Sequence, residues 1–138
     1  MSLLIGYHVK QVLDANAKVR AIVGERVFPV VNISHDLQYP FIVYTVGNIS
    51  EMATKDGSVE DSVSVAVGIV SKDYDEAISL AHSARYALEY ARASYQADDE
   101  HDGFEVRDCV LAGFDVDYND DLPAYIATLL FEFKTLDY

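Results

Sequence analysis

Residues 58–70 read SVEDSVSVAVGIV, and the alternation within them predicts a β-strand with two unlike faces. Successive side chains of a strand point to opposite sides of the sheet, so residues two apart share a face. One face is apolar: Val63, Val65, Val67 and Ile69. The other face is small: Ser62, Ser64, Ala66 and Gly68. We therefore expect the first face to belong to the core and the second to accept a close neighbour.

The segment that follows this strand predicts a helix. Asp73 and Glu76 have the spacing of a capping box, in which two side chains satisfy free backbone donors at a helix start. Apolar residues then recur at helical spacing: Ala77, Ile78, Ala81, Ala84, Leu88 and Ala91. We expect this helix to end near Ala93.

The N-terminal region predicts another helix. Its apolar residues recur at steps of three and four: Ile5, Val9, Val12 and Leu13. Asn16 is suited to capping a second, short helix, and Gly24 is the kind of residue that commonly follows a helix end.

Further strands are predicted at residues 26–31, 41–46, 104–116 and 124–135, which are rich in β-branched and aromatic residues. Pro29 lacks the backbone donor that a central strand needs, so the first of these belongs at an edge or a bend. We therefore expect one domain over residues 1–138, in the order helix, short helix, three strands, helix, two strands. This is an α+β fold with a mostly antiparallel sheet of four to five strands and two main helices packed on one face.

Residues 47–58 are mostly polar and end in an Asp-Gly turn signal. We read them as a long hairpin loop. Loops of this kind often carry binding function. The residues in it that we single out as a contact surface are Ile49, Met52, Lys55 and Asp56.

The formal net charge is −13 and is unevenly distributed, with ten acids and one base between residues 98 and 121. Repulsion between like charges opposes binding to a phosphate backbone, so no nucleic-acid partner is expected. No apolar run approaches the roughly 20 residues that a membrane span needs, and no signal peptide is predicted. Cys109 is the only cysteine, which is compatible with a reducing compartment.

No arrangement of residues predicts catalysis. The four histidines, at positions 8, 35, 82 and 101, lie in no recognisable motif, and a lone cysteine is usually a packing residue. The acidic stretches fail as calcium loops because their twelfth positions are Cys109 and Ile126. No cysteine pair or glycine-rich turn offers a zinc or phosphate site. We expect no enzyme activity, no metal and no cofactor.

Several short motifs follow one another along most of the chain. In order they are VGERVFP at 23–29, YPFIVY at 39–44, TKDG at 54–57, YDEA at 74–77, AY at 124–125 and FEF at 131–133. In this order they resemble the tail completion, or tail terminator, proteins of long-tailed bacteriophages and prophages.

The resemblance implies a structural virion protein, made in the cytoplasm of the bacterial host. Such a subunit assembles with itself into a ring, commonly a hexamer, at the head-proximal end of the tail tube. The ring ends tail growth and joins the tail to the head, so its further partners are the tail tube protein and the head connector proteins. No enzyme activity belongs to this role.

A ring needs complementary patches on two different faces of one subunit. The N-terminal helices are slightly basic, whereas the second half of the chain is strongly acidic. We therefore hypothesise that Lys10, Lys18 or Arg20 of one subunit faces acids of its neighbour. The loop at 47–58 is hypothesised to contact the tail tube.

Two other functions stay open at this point. The first is an acidic protein-binding module or DNA-mimic inhibitor, in which the carboxylates of residues 98–121 imitate a phosphate lattice. The second is a small-molecule enzyme that uses His35, Asp36 or His101, for which no geometry can be argued.

Overall fold

The computed structural model describes residues 4–29, 38–53, 59–89, 91–99 and 103–137. Within these ranges the chain forms three helices and six strands. In chain order they are α1 (Ile5–Ala15), α2 (Ala17–Val23), β1 (Val27–Pro29), β2 (Phe41–Ala53), β3 (Val59–Ser71), α3 (Tyr74–Glu89), β4 (Ala93–Tyr95), β5 (Phe104–Asn119) and β6 (Ala124–Asp137).

The strands form one sheet in the order β1-β2-β3-β6-β5-β4. The four long strands in the middle all pair antiparallel, and β4 pairs antiparallel with β5, whereas β1 pairs parallel with β2. The expected count of four to five strands was therefore wrong, and the sheet is mixed. The mostly antiparallel pairing, the order of the predicted elements and the edge position of the strand with Pro29 are confirmed.

The strand that the sequence did not predict is β4, which lies where the end of a helix and a linker were expected. Helix α3 ends at Glu89, and β4 spans only three residues. Tyr95 holds it in place, because its ring stacks on Phe104 with centroids 4.8 Å apart. Three residues are too few to show a period, so this strand depends on a partner that is distant in the chain.

The expected loop at residues 47–58 was also wrong over its first half. β2 continues to Ala53, which pairs with Val59 at the start of β3. The register shifts between Val46 and Ile49, so Gly47 and Asn48 form a β-bulge or irregularity in this strand. The ladder to β3 overrides the weak strand preference of these residues, since β-propensity depends strongly on context. Residues 54–58 lie outside the described residues.

The core lies between the sheet and the helices. Val63, Val65 and Val67 are fully buried, and their partners on β6 include two buried phenylalanines, Phe131 and Phe133. The predicted apolar face of residues 58–70 is thus confirmed. Apolar residues of the helices cover this face: Ile5, Val9, Leu13, Ala77, Leu80, Ala84 and Leu88. Full burial of each large side chain contributes roughly 1.5–3 kcal/mol.

The ends of α2 follow the predicted local chemistry. The Asn16 side chain accepts hydrogen bonds from the backbone N–H groups of Lys18 and Val19, each at 3.1 Å. Gly24 ends the helix with a φ of 58°. This φ is sterically unfavourable for residues that carry a Cβ atom. At α3, Asp73 accepts from the Asp75 N–H at 3.2 Å, but Glu76 instead accepts from the Ser71 hydroxyl at 2.8 Å. The reciprocal capping box predicted there is therefore only half formed.

Candidate assembly surface

The three basic residues of the proposed ring contact have different surroundings. Lys10 on α1 is held within its own subunit, because its Nζ lies 3.2 Å from Asp14 Oδ2 and donates to the Val27 carbonyl at 3.1 Å. Lys18 and Arg20 are exposed on α2. The exposed positive charge of the N-terminal helices therefore lies mainly on α2.

Lys18 also borders a surface groove between α2 and α3. The groove has a volume of about 380 Å³, and its lining includes His82 and Tyr86. Tyr86 has 63% of its surface exposed. His82 is exposed on α3.

The four residues proposed from the expected loop are not brought together as a loop. Ile49 and Met52 belong to β2, where they pair with Val63 and Glu60 of β3. Lys55 and Asp56 lie outside the described residues. Two of these four residues are therefore sheet positions and not members of a separate loop.

Acidic side chains collect at one end of the β5–β6 hairpin. Asp115 and Asp117 on β5 are exposed, and so are Asp120 and Asp121 in the turn. The turn is locally ordered, because Asn119 Oδ1 accepts from the N–H groups of Asp121 at 2.9 Å and Leu122 at 3.1 Å. This end of the hairpin therefore presents fixed negative charge to its surroundings.

Exposed aromatic rings lie beside this acidic end. Tyr125 makes edge-to-face contacts with Tyr74 at 5.5 Å and with Tyr118 at 5.0 Å between centroids. Tyr118 and Phe114 are 47% and 51% exposed. The sequence predicted strands in this region but not that Phe114 and Tyr118 would be exposed. Aromatic residues of this kind are enriched at protein interfaces.

A second groove separates α3 from β5, and we call it the α3–β5 groove. Its volume is about 210 Å³. It is mostly apolar, with two basic side chains, and is lined by Ile78, Ala81, His82, Arg85, Leu111, Phe114 and Leu129. Arg85 is held toward Glu89 by an ion pair of 3.2 Å. Its lining comes from α3, β5 and β6.

Long parts of both sheet edges have no strand beside them within the described ranges. β4 covers only Phe104–Val106 of β5, which is 16 residues long. On the opposite edge, β1 covers residues 42–44 of β2, which continues to Ala53. Unpaired edges expose backbone donors and acceptors and are templates for pairing with another chain.

Among the described residues, the reactive groups are buried or far apart. Burial raises the pKa of the Cys109 thiol to about 12, helped by the nearby Glu89 and Asp108 carboxylates, so the thiolate is strongly disfavoured. His8 is fully buried and hydrogen-bonded to the Tyr95 hydroxyl. His35, Asp36 and His101 lie outside the described residues. Among the residues that are described, no three metal-binding side chains come together.

Among the described helices, none is both long and apolar enough to cross a bilayer. The described surface combines strand edges, grooves and charged side chains. Such features are typical of surfaces that contact other protein chains.

No protein-family model matches the sequence, and no curated protein matches it. The fold does match a solved structure, a chain of the virion of a native gene transfer agent particle. The TM-score is 0.71 at 15% sequence identity, and the match covers 94% of this chain and 92% of the other. At this identity the comparison shows a shared fold, and it does so over nearly the full length of both chains.

Proposed function

We propose that this chain is a structural protein of a tailed, phage-like virion. The observation that carries the proposal is the fold, which is shared over 94% of the chain with a component of a gene transfer agent virion. The chemistry of the described residues is in keeping with this role. Their exposed features are edges, grooves and aromatic rings, and Cys109 is kept from acting as a nucleophile by burial.

Within that virion the chain acts as a tail terminator, without enzyme activity. It assembles as a homo-oligomeric ring, a hexamer, at the head-proximal end of the tail tube. There it ends tail growth and joins the tail to the head through the tail tube protein and the head connector proteins. The order of the motifs from VGERVFP at 23–29 to FEF at 131–133 supports this finer role.

The ring is supported by the asymmetry of the subunit. Its two sheet edges are formed by different strands, β1 and β4, and exposed cations lie on α2 while exposed acids lie on the β5–β6 hairpin. Two different patches on one subunit produce head-to-tail contacts, which close into a ring when the rotation permits.

The first test is the mass of the purified chain in solution. Light scattering over a concentration range, with electron microscopy of the same sample, should show a discrete ring near six subunits. Deleting the gene from the genome that encodes it should yield particles with separated heads and tails of unregulated length. Normal joined particles after deletion would rule out the tail-terminator role.

A second candidate function is an acidic module that occupies a basic partner. Exposed carboxylates at Asp115, Asp117, Asp120 and Asp121 favour it. Capture of a DNA-binding protein, released by added duplex DNA, would support this function and would not be expected of a tail ring.

A further inference from the structure

The groove between α2 and α3 suits an acidic occupant, and we call it the α2–α3 groove. Its described lining is formed by Asn16, Ala17, Lys18, His82, Ser83 and Tyr86, and none of these side chains is a carboxylate. Lys18 and the Ser83 hydroxyl can donate hydrogen bonds to an occupant. Asn16 uses its side-chain oxygen for the cap of α2, so its amide NH2 group remains as a further donor. An occupant that brings acceptors is therefore favoured.

The positive charge of α2 is not neutralised within the subunit. Lys18 and Arg20 are exposed, and neither has an ion pair in the part of the chain that the structure describes. Lys10 differs from both, because it is paired with Asp14 at 3.2 Å. Hydrogen bonds between a cation and a carboxylate are roughly twice as strong as those between neutral groups. A carboxylate that enters the α2–α3 groove can therefore pair with Lys18.

Carboxylates without an ion pair lie at the end of the β5–β6 hairpin, and we call residues 117–123 the hairpin tip. Asp117, Asp120 and Asp121 are exposed there, and no described cation pairs with them. An ionised carboxylate only accepts hydrogen bonds, so it complements the donors of the groove. Asn119 Oδ1 holds the turn by accepting from the Asp121 N–H at 2.9 Å. Because the tip is already ordered, little conformational entropy is lost when it docks.

The hairpin tip does not reach the α2–α3 groove of its own subunit. Tyr125, just after the tip, contacts Tyr74 at the start of α3, with ring centroids 5.5 Å apart. The groove is lined by His82 and Tyr86, which lie two to three helical turns further along α3, roughly 12–18 Å away along the axis. A contact between the tip and the groove therefore requires two copies of the chain.

The charges also select how two copies approach each other. The formal net charge of each chain is −13, so most relative orientations of two copies are repulsive. An orientation that brings the hairpin tip of one copy to α2 of the next pairs opposite charges instead. Complementary potentials of this kind determine the register of an interface. The two patches differ, so the contact is head to tail and can close into a ring.

We propose that the hairpin tip of a second copy of this chain docks in the α2–α3 groove, with Asp120 and Asp121 facing Lys18. This assignment rests on the ring proposed above and identifies a contact between its subunits. A different virion protein in the groove is the competing occupant, and the experiments below separate the two.

The first experiment fills the groove without changing any charge. Ala17 is exposed and lines the groove, so Ala17→Trp places an indole ring where the tip would dock. Ala97→Trp is the matched control, because Ala97 is also exposed but lies outside the groove. We expect Ala17→Trp to weaken self-association at least about 30-fold, as for loss of a central interface contact. The control should assemble like the unaltered chain. Thermal unfolding of both variants checks that each is folded.

The second experiment exchanges the charges of the two patches. Asp120→Lys with Asp121→Lys should weaken self-association about tenfold at low salt, in keeping with two exposed charge contacts. Lys18→Glu and Arg20→Glu in the same chain then restore opposite charges at each contact. This chain should associate within about threefold of the unaltered one.

A chain of equal net charge controls for the exchange. It combines the two tip substitutions with Arg92→Glu and Lys134→Glu, which reverse exposed cations outside α2 and the hairpin tip. Its net charge equals that of the restored chain, but its tip lysines still face the cations of α2. It should therefore associate as weakly as the chain with the tip substitutions alone.

The outcomes separate this inference from the proposed function. If the unaltered chain forms rings and Ala17→Trp forms them equally well, the interface assignment is wrong while the ring stands. If those Ala17→Trp rings also fail to join tails in particles, the groove belongs to a different protein. Equal association of the restored chain and its control overturns the pairing of the tip with α2. An unaltered chain that stays monomeric at every concentration overturns both the interface and the ring.

Discussion

The Nδ1 atom of His8 and the hydroxyl oxygen of Tyr95 lie 2.7 Å apart, joining α1 to β4 across 87 positions of sequence. His8 also packs edge-on against Phe133, with centroids 5.9 Å apart. Its burial lowers the pKa of the imidazole to about 4, so the ring is neutral in the folded chain at pH 7. A neutral histidine thus links the N-terminal helix to the outermost strand.

Acidification should destabilise the fold through His8. Its pKa is about 4 in the folded chain against 6.5 in the unfolded one, so the unfolded chain binds the proton more readily between these values. The stabilisation is fully present above pH 6.5 and is lost as the pH falls toward 4. Going from pH 7 to pH 5 should cost about 2 kcal/mol at this residue.

Urea unfolding at both pH values, on the unaltered chain and on His8→Gln, measures this effect. The variant removes the titrating group but leaves every carboxylate in place, so the difference between the two chains isolates His8. Equal losses of stability in both chains on acidification would contradict the assignment.

Neighbouring residues on β6 should respond very differently to truncation. Phe131 is fully buried, whereas Leu130 is 46% exposed on the other face. Phe131→Ala should lower the free energy of unfolding by about 3–5 kcal/mol, because it removes apolar contacts and leaves a cavity. Leu130→Ala should change it by no more than about 0.5 kcal/mol. Chemical denaturation of both variants checks this, and similar losses would mean that the faces of β6 are wrongly assigned.

Removal of the cap of α2 should have a moderate cost. Asn16→Ala deletes the acceptor for two backbone donors and should lower stability by about 1 kcal/mol. Asn16→Asp keeps a side-chain oxygen at the same place and should restore most of the loss. Thermal or urea unfolding of the pair provides the comparison, and an alanine variant as stable as the aspartate variant would show that the cap contributes nothing.

The cations of α2 should affect association in a salt-dependent way. Replacement of both Lys18 and Arg20 by glutamate is expected to weaken self-association about tenfold at low salt. This figure is the summed free energy of two exposed charge contacts, expressed as a change in the association constant. At 1 M salt, where the screening length is about 3 Å, the difference should disappear. Lys134→Glu, which reverses an exposed lysine on β6, is the matched control. Equal association constants for the double reversal and the control would end this hypothesis.

Several features could be predicted because they are local. The alternation at residues 62–69 determines a two-faced strand, since only a period of two sends every second side chain into the core. The cap at Asn16 and the turn at Gly24 depend on backbone groups within three residues and on one dihedral angle. Such features need no knowledge of the rest of the chain.

The surroundings of the interface candidates could not be predicted from local sequence. Lys10, predicted as a contact with a neighbouring subunit, is bound within its own subunit by Asp14 and the Val27 carbonyl. The β5 edge and the α3–β5 groove were not predicted at all. Whether an edge is covered depends on the lengths of two strands that come from different parts of the chain.

The two-faced strand at residues 62–69, the ends of α2 and the charge asymmetry could be predicted from the sequence alone, because each follows from residues close together in the chain. Three features became visible only in the folded chain: residues 47–53 extend β2, Ala93–Tyr95 form a strand, and His8 is hydrogen-bonded to Tyr95. The physical reason is that these three depend on backbone pairing and ring contacts supplied by distant segments, and such contacts leave no periodic signal in the segment that receives them.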